Sequence, residues 1–357
     1  MSGPGDPRPD TTQVPAAAAS VAGTTDEDDR RSLSPLERVQ HTLHKYPALG
    51  PFIVLVVLVT AFSLVVPDRF LKASNLSLVI GQVTVVGTLA IGQTIIILTA
   101  GVDLSVGAIA VFASIVMANL NAVVGLPGPL ALLLGFVLGT GCGLLNGWLI
   151  TRFRMPPFIV TLGTLSIFFA LDLYVSGSAT VRGVDMDPIL VLPGQAVEFF
   201  GARFTLGSMG MLVAYGVMMY VLRFTAWGRH VFAVGDDRES ARLSGVRTDR
   251  LLLSVYAVAG FLYALGAWFL LGRINAASPQ ALESANLETI TAVVIGGTSL
   301  FGGRGGVLGT LFGAIIVGTA VNGLTIAGFN PLWQRFAIGV LVIVAVGLDQ
   351  WIRRVGK

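Results

Sequence analysis

The stretch LTAGVDLSVGA, residues 98–108, sets a single carboxylate, Asp103, among small residues and long apolar runs. An ionisable side chain at membrane depth is costly and faces protein interior or water. Two kinds of chemistry suit it. Asp103 can cap a helix starting at Leu104, its carboxylate taking free backbone N–H groups. It can also line or gate a pathway, with Ser105 beside it. The cap is the commoner role, and the two are compatible. The other polar side chains within apolar runs are neutral: Gln82, Thr84, Gln93, Asn119, Asn146, Thr291 and Asn322. Each amide costs energy in lipid unless it is paired or faces water. Taken singly, each reads as an interhelical hydrogen bond. As a set they suit the passage of an uncharged, hydroxyl-rich solute, which needs hydrogen bonds but no counter-charge.

Catalytic, cofactor and metal chemistry find little support. The three histidines, His41, His44 and His230, lie outside the apolar runs, and two histidines at i,i+3 are poor evidence for a metal site. No G-x-x-x-x-G-K-[ST] phosphate loop occurs. Gly302-Gly303-Arg304-Gly305-Gly306 lacks that lysine and reads as a tight turn between two spans. The lone cysteine, Cys142, sits in an apolar run as a small packing residue, so no disulfide framework is expected. No basic block with interleaved aromatics is present, which argues against nucleic acid.

A second informative stretch, GRHVFAVGDDRESARLSGV (228–246), holds six charged side chains in nineteen residues of a chain that is 12% charged. Asp236 or Asp237 can cap a short helix with Glu239 in its first turn, Arg242 near its end and Gly245 as terminator. So short a helix is not stable alone. Ser240, Ala241 and Ser244 give it a small-residue face suited to a groove on another protein.

The elements that must position these residues are membrane helices. The chain has 357 residues, 54% of them hydrophobic, forty-four glycines and a mean hydropathy of +0.79. That is more apolar surface than a soluble core of this size can bury. Runs long enough to cross about 30 Å of hydrocarbon fall near 51–67, 76–99, 104–124, 129–150, 157–175, 204–224, 251–271, 287–301, 306–327 and 333–350. The expected fold is therefore an all-α integral membrane protein of about ten transmembrane helices. Two halves of five spans can repeat one another only if inverted in the membrane. Gly135-xxx-Gly139-xxx-Gly143 and Gly309-xxx-Gly313 supply close-packing faces. Arg and Lys concentrate in the tails, at 152–154, at 223–250 and at Arg304, which places both termini and the charged stretch in the cytoplasm. Residues 1–46 are Pro-, Ala-, Thr- and Asp-rich and read as a cytoplasmic tail, mostly disordered. Ser34-Pro35-Leu36-Glu37 can open a short surface helix there. Residues 47–357 form the transmembrane domain, with a cytoplasmic loop at 225–250.

That loop resembles the coupling loop of bacterial ABC importer permeases of the ribose/xylose/galactose type, pattern G-R-x-x-x-A-V-G-G-N-x-x-A-A-R-x-S-G-I. Gly228, Arg229, Ala233, Val234, Gly235, Ala241, Arg242, Ser244 and Gly245 meet the pattern. Asp236-Asp237 stands where Gly-Asn is usual, Ser240 replaces Ala and Val246 replaces Ile. LTAGVDLSVGA, GLLNGWLITRFRMPPFIVTLGTLSI (143–167) and VVIGGTSLFGGRGGVLGTLFGAIIVG (293–318) resemble further segments of that family. The resemblance implies a permease without catalytic residues of its own, working as a homodimer in the cytoplasmic (inner) membrane. ATP-binding subunits would dock at the coupling loop and a soluble solute-binding protein would deliver a monosaccharide from outside. Three alternatives remain: an ABC permease for nucleosides or branched-chain amino acids, a proton-coupled secondary transporter, and a scaffold without transport.

Overall fold

The computed structural model describes residues 49–199, 202–330, 332–340, 343 and 347. The expected tail helix at 34–46 lies outside them, as do eight residues of the expected span at 333–350, of which residues 333–340 are helical. The described chain is almost wholly helical. Helix α1 runs Leu49–Val65, the single-turn α2 Pro67–Phe70, α3 Ala73–Leu98, α4 Val106–Ala122, α5 Gly128–Phe153 and α6 Pro157–Ser176. After a long connection come α8 Leu206–Phe224, α9 Ala226–Asp236, α10 Arg238–Leu243, α11 Thr248–Ile274, α12 Ala285–Ile295 and α13 Val307–Ile326. Among the described residues, α3, α5, α6, α8, α11 and α13 are long and apolar enough to cross a membrane, and α1, α4 and α12 are shorter apolar helices.

Local chemistry sets the boundaries. Pro157 opens α6 where its missing N–H costs nothing, and Gly177 closes it in the left-handed region (φ 56°). The Thr205 and Thr225 side chains accept from the first turns of α8 and α9. The connection from α6 to α8 is not plain loop. It holds β1 (Val181–Arg182), the single-turn α7 (Pro188–Val191), and β2 (Ala196–Phe199) paired antiparallel with β3 (Ala202–Thr205). β1 pairs with β4 (Ala276–Ala277), which follows α11. These ribbons mark one end of the bundle, and α9 and α10 mark the other, the hairpin end.

Packing is organised around two long helices, α3 and α11, which lie against each other. In each half a long helix is followed by a short one (α4, α12) and then by a glycine-rich helix (α5, α13). Each glycine-rich helix packs on the long helix of the other half, α5 on α11 and α13 on α3. Gly139, Gly143 and Gly147 of α5 touch Gly260, Tyr256 and Leu253 of α11, and Gly309 and Gly313 of α13 touch Gly296 and Ala292. Small residues allow this backbone approach. A side chain at Gly143 would run into the Tyr256 carbonyl, whereas one at Gly141 would meet nothing within 4 Å. Gly143→Leu is therefore expected to cost about 1–3 kcal/mol or more through overpacking, lowering the melting temperature in detergent by several degrees. Gly141→Leu should melt like the native chain; equal melting of the two variants would refute the seam.

Three expectations are refined. The span expected near 287–301 is an eleven-residue helix that stops at Ile295, about 17 Å of rise and too short to cross alone. The stretch expected as a loop before the short coupling helix is itself helical, α9. The helix expected to start at Leu104 begins two residues later, at Val106.

Candidate functional site

After α3 ends at Leu98 the chain turns back along it. The Gly101 N–H bonds to the Ile96 carbonyl at 3.1 Å, and Gly101 lies against the Tyr256 hydroxyl. Helix α4 thus starts inside the bundle, where its free N–H groups need partners other than water. Three elements supply them. Asp103 Oδ1 accepts from the Ser105 N–H at 2.7 Å, Thr161 Oγ1 of α6 from the Leu104 N–H at 3.1 Å, and Asn286 Oδ1 of α12 from the Gly107 N–H at 2.8 Å. Asn286 is the second residue of α12, so two helix N-termini meet here.

Around this junction a polar cluster is sealed from solvent. Gln93, Asp103, Ser105, Asn146 and Tyr263 are fully buried and Tyr256 nearly so. The Ser105 hydroxyl donates to Asp103 Oδ1 at 2.6 Å and accepts from Asn146 Nδ2 at 2.9 Å. Tyr263, two turns beyond Tyr256 on α11, reaches Gln93 Oε1 at 3.4 Å. Both tyrosines lie within electrostatic reach of Asp103. Among the described residues no basic side chain neighbours that carboxyl group; its Oδ1 lies at the N-terminal end of α4. Asn146 Oδ1, Gln93 Nε2 and the Tyr256 hydroxyl make no hydrogen bond among the described residues, and Asp103 Oδ2 has none of good geometry, the Tyr263 hydroxyl being its neighbour. Unmet donors and acceptors therefore coexist in one cluster, held by three helices and the fold-back.

Of the pathway residues expected from sequence, Asp103, Ser105, Gln93 and Asn146 come together here. The others do not. Gln82 lines a separate cavity at the ribbon end. Asn119 ties α4 to the Val175 carbonyl of α6. Thr291 bonds back to Leu287 within its own helix, and Asn322 exchanges amide bonds with Asn75 at 3.1 Å. For these three the bland reading, interhelical or intrahelical pairing, fits the geometry.

The hairpin end carries the second part of the site. Asp237 caps α10: Oδ1 accepts from the Glu239 and Ser240 N–H groups at 2.9 and 3.1 Å, and Oδ2 from the Ser240 hydroxyl at 2.8 Å. These bonds, those from Ser240 foremost, hold the Asp237 carboxyl below its ordinary value of 3.8. A lowered pKa stabilises the helix above the unfolded value and loses that contribution only as pH falls through the folded one, so the cap is complete at neutral pH. Arg242 folds back on Glu239, and Arg238 pairs with Asp249 at 2.8 Å, both pairs exposed. Ser240, Arg242, Ser244 and Gly245 are exposed, and Leu243 is 78% exposed.

Ala241 faces the other way. It is 6% exposed and belongs to the packed core, so the small-residue docking face drawn from the sequence is corrected: the outward surface is built on Leu243 flanked by Ser240 and Ser244. Gly228 and Gly235 are also internal. Gly228 packs on Leu222, and Gly235 on the Leu98 carbonyl and the Gly303 N–H. Gly303 in turn donates to the Leu98 carbonyl at 3.0 Å. The hairpin, the glycine-rich turn and the end of α3 are therefore one packed unit, five residues upstream of Asp103. Tyr256, Tyr263, Thr161 and Asn286 were not singled out from sequence. The i,i+7 tyrosines in an apolar run were a readable signal; Thr161 and Asn286 gave none, since their partners come from other helices.

Residues 75–346 match the family model described as branched-chain amino acid transport system / permease component. The chain belongs to this family. It is 46% identical over 323 residues to the fructose import permease protein FrcC of Rhizobium meliloti, covering 90% of each chain. It is 38% identical over 306 residues to the ribose import permease protein RbsC of Bacillus subtilis, covering 85% of this chain and 92% of that one. To the xylose transport system permease protein XylH of Escherichia coli it is 27% identical over 358 residues, with 84% and 91% covered. No solved structure matches the chain.

Proposed function

We propose that this protein is the membrane-spanning permease subunit of an ATP-driven importer that carries a monosaccharide across the cytoplasmic membrane. The observation that carries the reading is the 46% identity, over nine-tenths of both chains, to a fructose import permease. The pairing of each glycine-rich helix with the long helix of the other half supports two inverted halves of five spans, ten in all. In this reading residues 47–357 are the permease domain and residues 225–250 the coupling loop. The hairpin end and both termini face the cytoplasm, where the basic residues concentrate, and residues 1–46 are a tail. The ribbon end receives the solute-binding protein. α10 seats Leu243 on an ATP-binding subunit, and two permease copies form the transporter.

Asp103, Ser105, Gln93 and Asn146, with Tyr256 and Tyr263, then form the internal gate. Closed, the cluster seals the bundle; parted, its unmet donors and acceptors offer hydrogen bonds to hydroxyl groups. The test is uptake of labelled fructose, ribose and xylose, with leucine and a nucleoside as comparators, into vesicles from cells expressing the whole transporter. Trapped ATP should drive uptake of a sugar and an imposed proton gradient should not. Uptake driven by the gradient alone, or of leucine alone, would overturn the assignment.

A further inference from the structure

A cavity of about 620 Å³ opens at the ribbon end between the first turns of α3, the chain entering α8 and the last turns of α11. Its volume falls in the range of small-molecule sites. Its walls mix chemistries. Ser74, Ser77, Gln82, Arg203 and Arg273 bring polar groups, while Leu78, Pro193 and Phe269 supply apolar surface. Arg273 donates through Nη1 to the Gln82 carbonyl at 3.0 Å, so one of its five N–H groups is used in that contact. The Gln82 side-chain oxygen is buried and has no partner among the described residues. Arg203 lies on β3 and pairs with Glu198 across the ribbon at 3.4 Å. Among the described residues no aspartate or glutamate lines the cavity, and Glu288 lies within electrostatic reach of Arg273 from outside its wall.

We infer that this cavity is a sugar-holding site on the side of delivery, distinct from the buried cluster around Asp103, and that it takes a neutral monosaccharide through a pair of adjacent hydroxyls. The ligand must both give and take hydrogen bonds. Gln82 Oε1 is sealed beneath the cavity wall and meets a ligand as its amide turns outward; it then needs a donor, which a carboxylate cannot be, and the Arg273 guanidinium offers the rest of its fork to acceptors. A vicinal diol does both, and the C–H face of a sugar ring fits the apolar wall. An apolar solute would offer nothing to the Gln82 amide and would leave the Arg273 guanidinium only its contact with the Gln82 carbonyl. The larger groove between α8 and α11 contrasts with it: that one is lined almost wholly by apolar side chains such as Val213, Val217 and Phe261 and has nothing to read hydroxyls with.

This inference rests on the importer reading, and the experiment separates the two. Ser74 is exposed on the cavity wall, and the one native cysteine, Cys142, is buried. Ser74→Cys in a Cys142→Ser background gives the permease a single thiol, and the whole transporter is reconstituted in vesicles, with labelling read on the permease band against the Cys142→Ser parent. Labelling by a cationic methanethiosulfonate is timed with fructose, ribose, xylose or glucuronate at high concentration. A transported neutral sugar should slow labelling at least threefold. Gln82→Leu and Arg273→Gln should each abolish that protection and raise the half-saturating sugar concentration for uptake about tenfold or more, with the maximal rate changed less. Arg273→Lys, which keeps the charge but not the fork, should restore protection only in part. If sugar accumulates while labelling is untouched by every sugar, the cavity is not the site and the importer reading stands. If glucuronate alone protects, the neutral-diol assignment falls. If no sugar accumulates in the unmodified transporter, the importer reading itself fails, whatever the labelling shows.

Discussion

Leu243→Glu is expected to release the ATP-binding subunit from the permease during purification and to remove stimulation of ATP hydrolysis by loaded binding protein. Leu243 is the large apolar side chain that α10 turns outward, at 78% exposure, on a helix rigidified by its Asp237 cap. Truncating a central interface residue costs about 1–2 kcal/mol, about five- to thirtyfold in affinity; a buried, unpaired carboxylate in its place adds a desolvation penalty. The permease should still melt as the native chain does, because Leu243 contributes little to its own core. Two comparators make the result specific. Arg238→Glu breaks an exposed pair with Asp249, which is worth only about 0–1 kcal/mol, and should leave co-purification nearly intact. Ala241→Trp should lower the melting temperature of the isolated permease, since Ala241 points inward and an indole there overpacks the core. If Leu243→Glu keeps its partner while Arg238→Glu loses it, the docking surface is electrostatic and the anchor is misassigned.

Asp103→Asn should keep the fold and reduce sugar uptake about ten- to a hundredfold. The variant retains an oxygen for the Ser105 N–H and hydroxyl but exchanges a carboxyl group that the N-terminal donors of α4 can hold as an anion for a neutral amide. Hydrogen bonds to charged groups are worth about 1.5–3 kcal/mol, and about 1.4 kcal/mol is a factor of ten. Asp103→Ala should do worse by a different route. It strands the buried Ser105 N–H and hydroxyl and should lower melting as well as uptake. Uptake at the native rate by Asp103→Asn, in protein present at native level, would remove Asp103 from the gate.

The contrast between these residues shows what a one-dimensional reading can reach. Helix positions were legible because a hydrocarbon solvent demands long apolar runs, and α3, α5, α6, α8, α11 and α13 fall on the expected spans within a few residues. The cap on α10 was legible because Asp237 and its N–H partners are two and three residues apart. The fold-back that carries Asp103 inward was not, because a polar turn between apolar runs reads the same whether it lies at the surface or at depth. Nor was the inward turn of Ala241: a small residue on a short helix carries no periodicity to assign its face. The separate fates of Gln82, Gln93 and Asn119 were equally hidden, since amide spacing says nothing about which helices neighbour one another.

Only Ser244, Gly245, Val246 and Arg247 separate α10 from α11, and α11 then runs unbroken through twenty-seven residues, about 40 Å at 1.5 Å per residue. It is in effect a lever with its handle at the hairpin end. A tilt of about 5° about Thr248 would carry Tyr263, roughly 22 Å along, by about 2 Å, and Arg273, roughly 38 Å along, by about 3 Å. The first displacement is enough to break a hydrogen bond and the second enough to reshape a binding wall. One rigid rod could thus work the latch at mid-depth and the cup at the far end in a single stroke, with the larger movement falling farthest from the hand that makes it.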